Sequence, residues 1–237
     1  VRLAVIVPML DRAPSIEASL RALAPLRARG HRVVVADGGS RDDGPARAAA
    51  LADRVVRAPR DWALQIDAGA RTPEADTADA LLFLPERLRL PPDADREVAR
   101  ALGGGASPWG FFDLRLCPAP AGPRSDSFSL RLASALAQAG SRASGIGLAD
   151  QAIFVTRAAF LALEGLADAD GAPDVDFCRR ARLLGSPLLL RVRADLATEE
   201  RRPAAILGRA ARRECWRLAC ALNLPWQPQP PPRWSPI

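Results

Sequence analysis

Residues 32–43 read RVVVADGGSRDD. Three successive valines with little polar alternation read as a strand buried on both faces, as in the interior of a parallel sheet. The strand runs into Asp37, Gly38, Gly39 and Ser40. That is a carboxylate at the strand's carboxyl end, followed by two residues that tolerate positive φ and let a ligand approach the backbone closely. Asp42 or Asp43 can cap a helix beginning near Pro45. Taken alone, Asp37 has a second reading, in which it merely caps a turn.

Upstream, residues 3–7 read as a strand closed by Pro8, and Ile16, Leu20 and Leu23 stand at helical spacing in a helix from about Pro14 that ends at Gly30. With 32–37 this makes a βαβ unit, whose crossover is right-handed. Downstream follow a short helix at 45–51, a strand near 55–58, a helix at about 62–70 and a buried strand at 80–84. The pattern predicts an α/β, Rossmann-like fold with a mostly parallel central sheet and helices on both faces. Ligands of such sheets sit beyond the carboxyl ends of the strands, which selects residues 8–12, 37–40 and 85–89.

The second half reads as a helix at 96–102 ending in three glycines, a strand at 109–116, a Pro/Gly/Ser-rich loop at 118–127 and a helix near 128–139. The segment from Gly145 to Gln151 leads into a strand at 152–156. After a short helix, a loop at 167–173 delivers Asp174 and Asp176 to a helix at 177–184, followed by a strand at 188–192 and a basic helix at 203–222. We expect one domain over 1–222, with halves at 1–102 and 103–222. The Pro-rich tail at 223–237 reads as extended or disordered.

At 237 residues and 49% apolar the chain can bury a full core. No run approaches the ~20 apolar residues of a membrane span, and Pro8 and Asp11 interrupt the N-terminal apolar stretch before it could serve as a signal peptide; the expectation is a cytoplasmic protein. The net charge of +6 comes entirely from arginine, because there is no lysine, and tyrosine is absent. Scattered arginines without stacking aromatics argue against nucleic acid and for anionic small molecules or lipid headgroups as partners. Cys117, Cys178, Cys215 and Cys220 show no Cys-x-x-Cys pair and no nearby histidine, so free buried thiols are expected. His31, just before a strand, reads as a surface residue. Trp109, Phe111 and Phe112 read as core. Asp113 either reaches the acceptor or pairs with an arginine. Asp176 has a reading as a first-turn carboxylate favouring the helix dipole.

In order, the chain carries VIVPMLDRA, VVVADGGSRDD, APRDWALQIDAGA, LLFLPERLRLPPDA, WGFFDLRL, GLADQAIFV and PDVDFCRRARLLG. This series, over roughly 1–213, resembles the family-two glycosyltransferases of the A fold, and especially the bacterial subgroup associated with radical-SAM and selenoprotein-domain genes. The resemblance implies an inverting transferase that takes a sugar from a nucleotide-diphosphate sugar to an unknown acceptor. It makes 1–102 the nucleotide-binding half and 103–222 the acceptor half, and places Pro8, Asp11, Asp37 and Gly38 at the donor nucleotide, Asp67 in the helix that closes over it, Asp150 with Gln151 near the sugar and acceptor, and Asp174 as the catalytic base. It also implies Mg2+ or Mn2+ on a carboxylate at the end of the fourth strand.

Here the sequence departs from the family pattern. Arg87 stands where the metal-binding aspartate belongs, and Glu86, its neighbour, is the weak metal candidate, since adjacent residues leave a strand end in different directions. Asp11 replaces the customary asparagine, Arg12 an acidic residue, Trp62 a basic one, and Pro173 the glutamate before the base. Near Thr198 stand Glu199 and Glu200, then Arg201 and Arg202. Three readings follow: a transferase with an altered cation arrangement, in which Arg87 with Arg89 or Arg202 partly replaces the metal; a catalytically impaired nucleotide-binding or partner-binding relative; or another small-molecule transferase on the same scaffold. The basic C-terminal helix either packs on the domain with a solvated basic face or lies on an anionic membrane surface as a peripheral contact.

Overall fold

The computed structural model describes residues 1–118, 127–166, 172–198, 200 and 202–222. Most of the expected loop at 118–127, part of that at 167–173, Glu199, Arg201 and the Pro-rich tail lie outside the described residues. The described chain forms strands β1 (Leu3–Met9), β2 (Arg32–Asp37), β3 (Arg54–Arg57), β4 (Ala80–Phe83), β5 (Leu88–Arg89), β6 (Trp109–Pro118), β7 (Phe154–Thr156) and β8 (Leu188–Thr198). Its helices are α1 (Ala13–Ala22), α2 (Ala24–Ala28), α3 (Gly44–Ala49), α4 (Trp62–Ala70), α5 (Pro73–Asp76), α6 (Ala94–Gly103), α7 (Ser127–Ser144), α8 (Arg157–Ala162), α9 (Pro173–Ala181) and α10 (Pro203–Ala221).

The strands form one sheet in the order β3-β2-β1-β4-β7-β6-β8-β5. β1 to β4 are mutually parallel, β7 runs antiparallel to both β4 and β6, β8 is parallel to β6, and β5 is antiparallel to β8. The sheet is therefore mixed, although most of its strands share one direction. Strand alternation splits the core in two. Leu3, Val5, Val7, Leu82, Phe112 and Leu114 pack on one face, and Ala4, Ile6, Phe83, Trp109 and Phe111 on the other. On the second face α4 comes so close to β1 that a Cβ on Gly69 would lie 2.5 Å from Ile6.

Several expectations are corrected. Pro8 lies inside β1, opposite Ala36, rather than closing the strand. Ile6 C=O accepts from Leu84 N–H on the β4 side, and residue 8 faces the same way, where β4 pairing has ended; the missing N–H breaks no ladder there. The single helix expected from Pro14 to Gly30 is two, because Pro25 sits at the start of α2 and cannot continue the hydrogen-bond ladder of α1. Of the four free cysteines only Cys178 is buried, and Cys215 is exposed.

His31 is buried rather than on the surface, at 7% exposure. Leu3 N–H donates to its Nδ1 at 3.1 Å, so Nε2 carries the proton and donates to Asp95 at 2.9 Å. Burial pushes the Asp95 carboxyl up, but hydrogen bonds from Arg29 and His31 outweigh it and bring it down to about 2. His31→Ala strands a buried N–H and one side of Asp95, and is expected to cost about 2 kcal/mol. A fall in melting temperature of about 4–8 °C, measured by calorimetry, checks this.

The basic face of α10 is not simply solvated. Arg217 is fully buried, donates to Ala137 C=O of α7 at 2.9 Å and lies 3.3 Å from Glu214. Burial lowers its guanidinium to about 10. Glu214 rests on Gly140, where any Cβ would meet its carboxylate at 1.8 Å. α10 thus packs on α7. Arg212, Leu218 and Leu222 are among the residues it leaves exposed. No helix among the described residues is long and apolar enough to cross a membrane.

Candidate functional site

The carboxyl ends of β1, β2 and β4 meet at one edge of the sheet, and the loops that leave them are stitched together. Asp11 N–H donates to Ser40 Oγ (2.9 Å), Arg41 N–H to Asp11 Oδ1 (2.7 Å) and Ala13 N–H to Asp42 Oδ2 (2.8 Å). Asp42 therefore bridges to α1 as well as accepting from Gly44 N–H of α3. Asp11 takes φ of +51°, which aspartate and asparagine adopt more readily than most residues.

Asp37 is 6% exposed, and its carboxylate accepts from Gly39 N–H (3.2 Å), Ser40 N–H (3.1 Å) and Ser40 Oγ. Within the chain it closes its own turn, as the blander reading expects. Of the two glycines only Gly39 uses positive φ, at +85°. Gly38 instead leaves room for α4: a Cβ there would lie 2.1 Å from Gln65 Nε2. Gln65 of α4 is fully buried, and its Oε1 has no hydrogen-bond partner. Sequence reasoning passed over this residue, although it lies within the segment expected to close over the nucleotide.

At the end of β4, Glu86 is 8% exposed, with Oε1 3.2 Å from Arg12 Nε and 3.7 Å from Arg87 Nε. Ser15 Oγ donates to the same oxygen at 3.5 Å. Burial raises this carboxyl above its usual range, against the pull of Arg12 and then Arg87. Arg89 is turned inward and donates to Glu86 C=O and Ser19 Oγ, each at 3.0 Å. Arg202 lies 3.5 Å from Glu200 and is 83% exposed at its side chain. Besides Arg87, the guanidinium beside the Glu86 carboxylate belongs to Arg12, which the expected grouping did not include.

The other wall depends on the reversed direction of β7. Because β7 is antiparallel to β4, with Phe83 N–H donating to Ile153 C=O, the residues just before β7 lie at the carboxyl edge of the parallel strands. These residues form a 3-10 turn, Ala149–Gln151. Gln151 is fully buried, accepts from Leu148 N–H and donates to Phe112 C=O, both at 3.3 Å. Asp150 is gripped through both oxygens by Arg213 of α10. Asp174, in the first turn of α9, accepts from Ala149 N–H and from Val175 N–H, each at 2.9 Å. Burial raises the Asp174 carboxyl above its ordinary range; the two N–H groups oppose this, the Asp150 charge adds to it and Arg213 opposes it.

Three acidic residues stand apart. Asp67 accepts from Leu166 N–H at 2.9 Å and lies against Gly165, so it anchors the turn after α8. Asp113 is buried and paired with Arg142, the second of its two expected readings. Asp176 pairs with Arg180 at 2.7 Å. Arg213 was not singled out beforehand. Its signal was the row Arg209, Arg213, Arg217 at four-residue spacing, which puts all three on one helix face.

The fourth-strand end does not suit the divalent cation that the family pattern implies. Such cations take several oxygen ligands. Here the Glu86 carboxylate lies beside two guanidinia, and among the described residues no group of three or more His, Cys, Asp or Glu is placed to hold a metal.

No protein-family model matches the chain, and no curated protein does. Solved structures do. Glucosyl-3-phosphoglycerate synthase of Mycobacterium tuberculosis matches with a TM-score of 0.61 at 20% identity, over 95% of this chain and 82% of that one. The same enzyme in complex with Mn2+ and UDP-glucose matches with 0.58 at 19% identity, over 95% and 80%. A mannosyltransferase of Pyrobaculum calidifontis in complex with GDP-mannose and Mn2+ matches with 0.65 at 21% identity, over 98% and 66%. Across nearly its whole described length, the chain has the α/β fold of the A-type nucleotide-sugar glycosyltransferases.

Proposed function

We propose that this protein transfers a sugar from a nucleotide-diphosphate sugar to an acceptor hydroxyl with inversion. One observation carries the reading: side chains from separate segments, Asp11, Asp37, Glu86, Arg87 and Asp150, come to the carboxyl edge of one sheet, with Asp174 hydrogen-bonded to the turn that bears Asp150. Pro8, Asp11, Asp37 and Gly38 surround the nucleotide, and Asp150 faces the sugar and acceptor. The acceptor oxygen attacks the anomeric carbon, the bond to the diphosphate breaks with its electron pair leaving on the diphosphate, and Asp174 takes the acceptor proton. The ordered motif series supports placement in the radical-SAM and selenoprotein-associated bacterial subgroup. Expression with sugar nucleotides and a panel of hydroxyl acceptors, assayed for nucleoside diphosphate release with and without manganese, tests the activity. A second reading, a nucleotide-binding relative with impaired turnover, is favoured by the Arg12–Glu86 pair. Nucleotide binding without diphosphate release would select it.

Asp37 provides a narrower test. A nucleotide supplied at about 100 times its dissociation constant stabilises the folded chain by ~2.7 kcal/mol. For a chain of this size that is a rise of roughly 5–10 °C in melting temperature. Asp37→Ala, measured against its own unliganded midpoint, is expected to lose the rise. An unchanged rise removes Asp37 from the donor site.

A further inference from the structure

We infer that Asp67 of α4 and Arg180 of α9 are positioning residues: together they pin the turn after α8 and thereby fix the base-bearing first turn of α9 against the helix that backs the donor turn. The inference rests on the reading of Asp174 as the base and goes beyond it by naming what holds that base in place.

α4 touches both sides of the site. Through Gln65 it lies against Gly38, which leaves room for that side chain. Two residues further on, Asp67 meets Gly165 so closely that a Cβ there would lie 2.5 Å from Oδ1, and the same oxygen accepts from Leu166 N–H at 2.9 Å. The turn so held is strained. Glu164 and Gly165 take φ of +60° and +83° in succession, and a non-glycine residue keeps that conformation only where its surroundings over-determine it. Leu166 is buried in one apolar cluster with Ile66 of α4 and Val175 and Phe177 of α9.

Arg180 grips the same turn from α9. Its Nη1 donates to Leu163 C=O and to Gly165 C=O, the latter at 3.0 Å, while its Nε donates to Asp176 Oδ2 at 2.7 Å. An ordinary i, i+4 ion pair stays on its own helix. This one also ends on two carbonyls of another segment, so it ties Asp176, two residues after Asp174, to the turn that Asp67 holds. The donor turn and the base are thereby joined through α4, the turn and Arg180. A misplacement of about 1 Å in a reacting group can cost on the order of 100-fold in rate, so loosening this turn shows in turnover and not in donor affinity.

Turnover of UDP-glucose and of GDP-mannose with the hydroxyl-acceptor panel, read well below each variant's melting temperature, tests the inference alongside titration with UDP and GDP. Asp67→Ala and Arg180→Gln are each expected to lower kcat by about tenfold or more, with nucleoside diphosphate affinity changed less than about threefold. Asp67→Asn, whose Oδ1 can still accept from Leu166 N–H, is expected to restore most of the turnover. Because both residues act through Asp174, adding either change to Asp174→Asn is expected to lower kcat by less than about twofold further. An equal loss on both backgrounds marks a purely structural role and overturns the inference, as does unchanged kcat in both single variants. Either result leaves the Asp174 reading standing where Asp174→Asn itself is slow. Lost diphosphate affinity in Asp67→Ala at unchanged kcat assigns Asp67 to the donor nucleotide and also overturns the inference. Where Arg180→Gln misfolds, Arg180→Lys takes its place. Full turnover in Asp174→Asn, or none in the unaltered chain, overturns both.

Discussion

Asp174→Asn is expected to lower turnover by about 100-fold or more while nucleotide affinity stays near that of the unaltered chain. The substitution keeps shape and hydrogen-bond acceptance at one atom but removes basicity. Asp174 suits the role on two grounds. It lies in the first turn of α9, retains partial exposure, and is aimed by Ala149 N–H at the turn that bears Asp150. Burial also raises its carboxyl above the ordinary range, bringing its basicity closer to working pH. The base works deprotonated, so turnover rises as pH climbs through that elevated value, and this acidic limb disappears in Asp174→Asn. Full turnover in the variant would move the role elsewhere, with Asp113 and Asp150, each paired with an arginine, the next candidates.

The second large effect concerns Arg213, whose side chain is 11% exposed against 18% for Asp150. Removing one partner of a buried ion pair leaves the other charge uncompensated, at roughly 3–5 kcal/mol when burial is complete. Asp150 keeps some access to water, so Arg213→Ala is expected to cost about 2–3 kcal/mol. That corresponds to a fall of about 4–12 °C in melting temperature. The groups facing Asp174 include Asp150 on the 3-10 turn, Arg213 and Arg217 on α10, and Cys178 and Cys220. Losing the Arg213 cation while Asp150 stays charged raises Asp174 further, and the acidic limb of the pH–rate profile moves to higher pH. Asp150→Asn added to Arg213→Ala is expected to return part of both losses, and a double-mutant coupling of at least about 1 kcal/mol measures the pair. Independent, additive effects would show that the pair is incidental.

Much of the site was legible because the signals are local. A buried strand followed by Asp37 and glycines at 38 and 39 is readable within a dozen residues, and the rule that ligands sit beyond parallel strand ends converts that reading into a place. The substitution of Arg87 for an expected carboxylate was likewise visible in four consecutive positions. The partner on Glu86 was not, because Arg12 and Glu86 are far apart in the chain and meet only when β1 and β4 lie side by side. His31 was misplaced for the same reason: nothing near it in sequence announces Leu3 N–H or Asp95.

By itself the sequence determined that this chain is an α/β protein whose β1-α-β2 unit opens a ligand edge, since apolar runs and glycine turns act through contacts of a few residues. Only the tertiary structure decided that β7 runs backwards, which brings Asp150 to that edge, and that α10 turns Arg213 and Arg217 inward to meet Asp150 and Glu214. Strand direction is set by which neighbours a strand can pair with, and these guanidinia turn inward because other segments supply acceptors, Asp150 for Arg213 and the Ala137 carbonyl of α7 for Arg217. Both depend on closure of the whole sheet, which no local stretch of residues encodes.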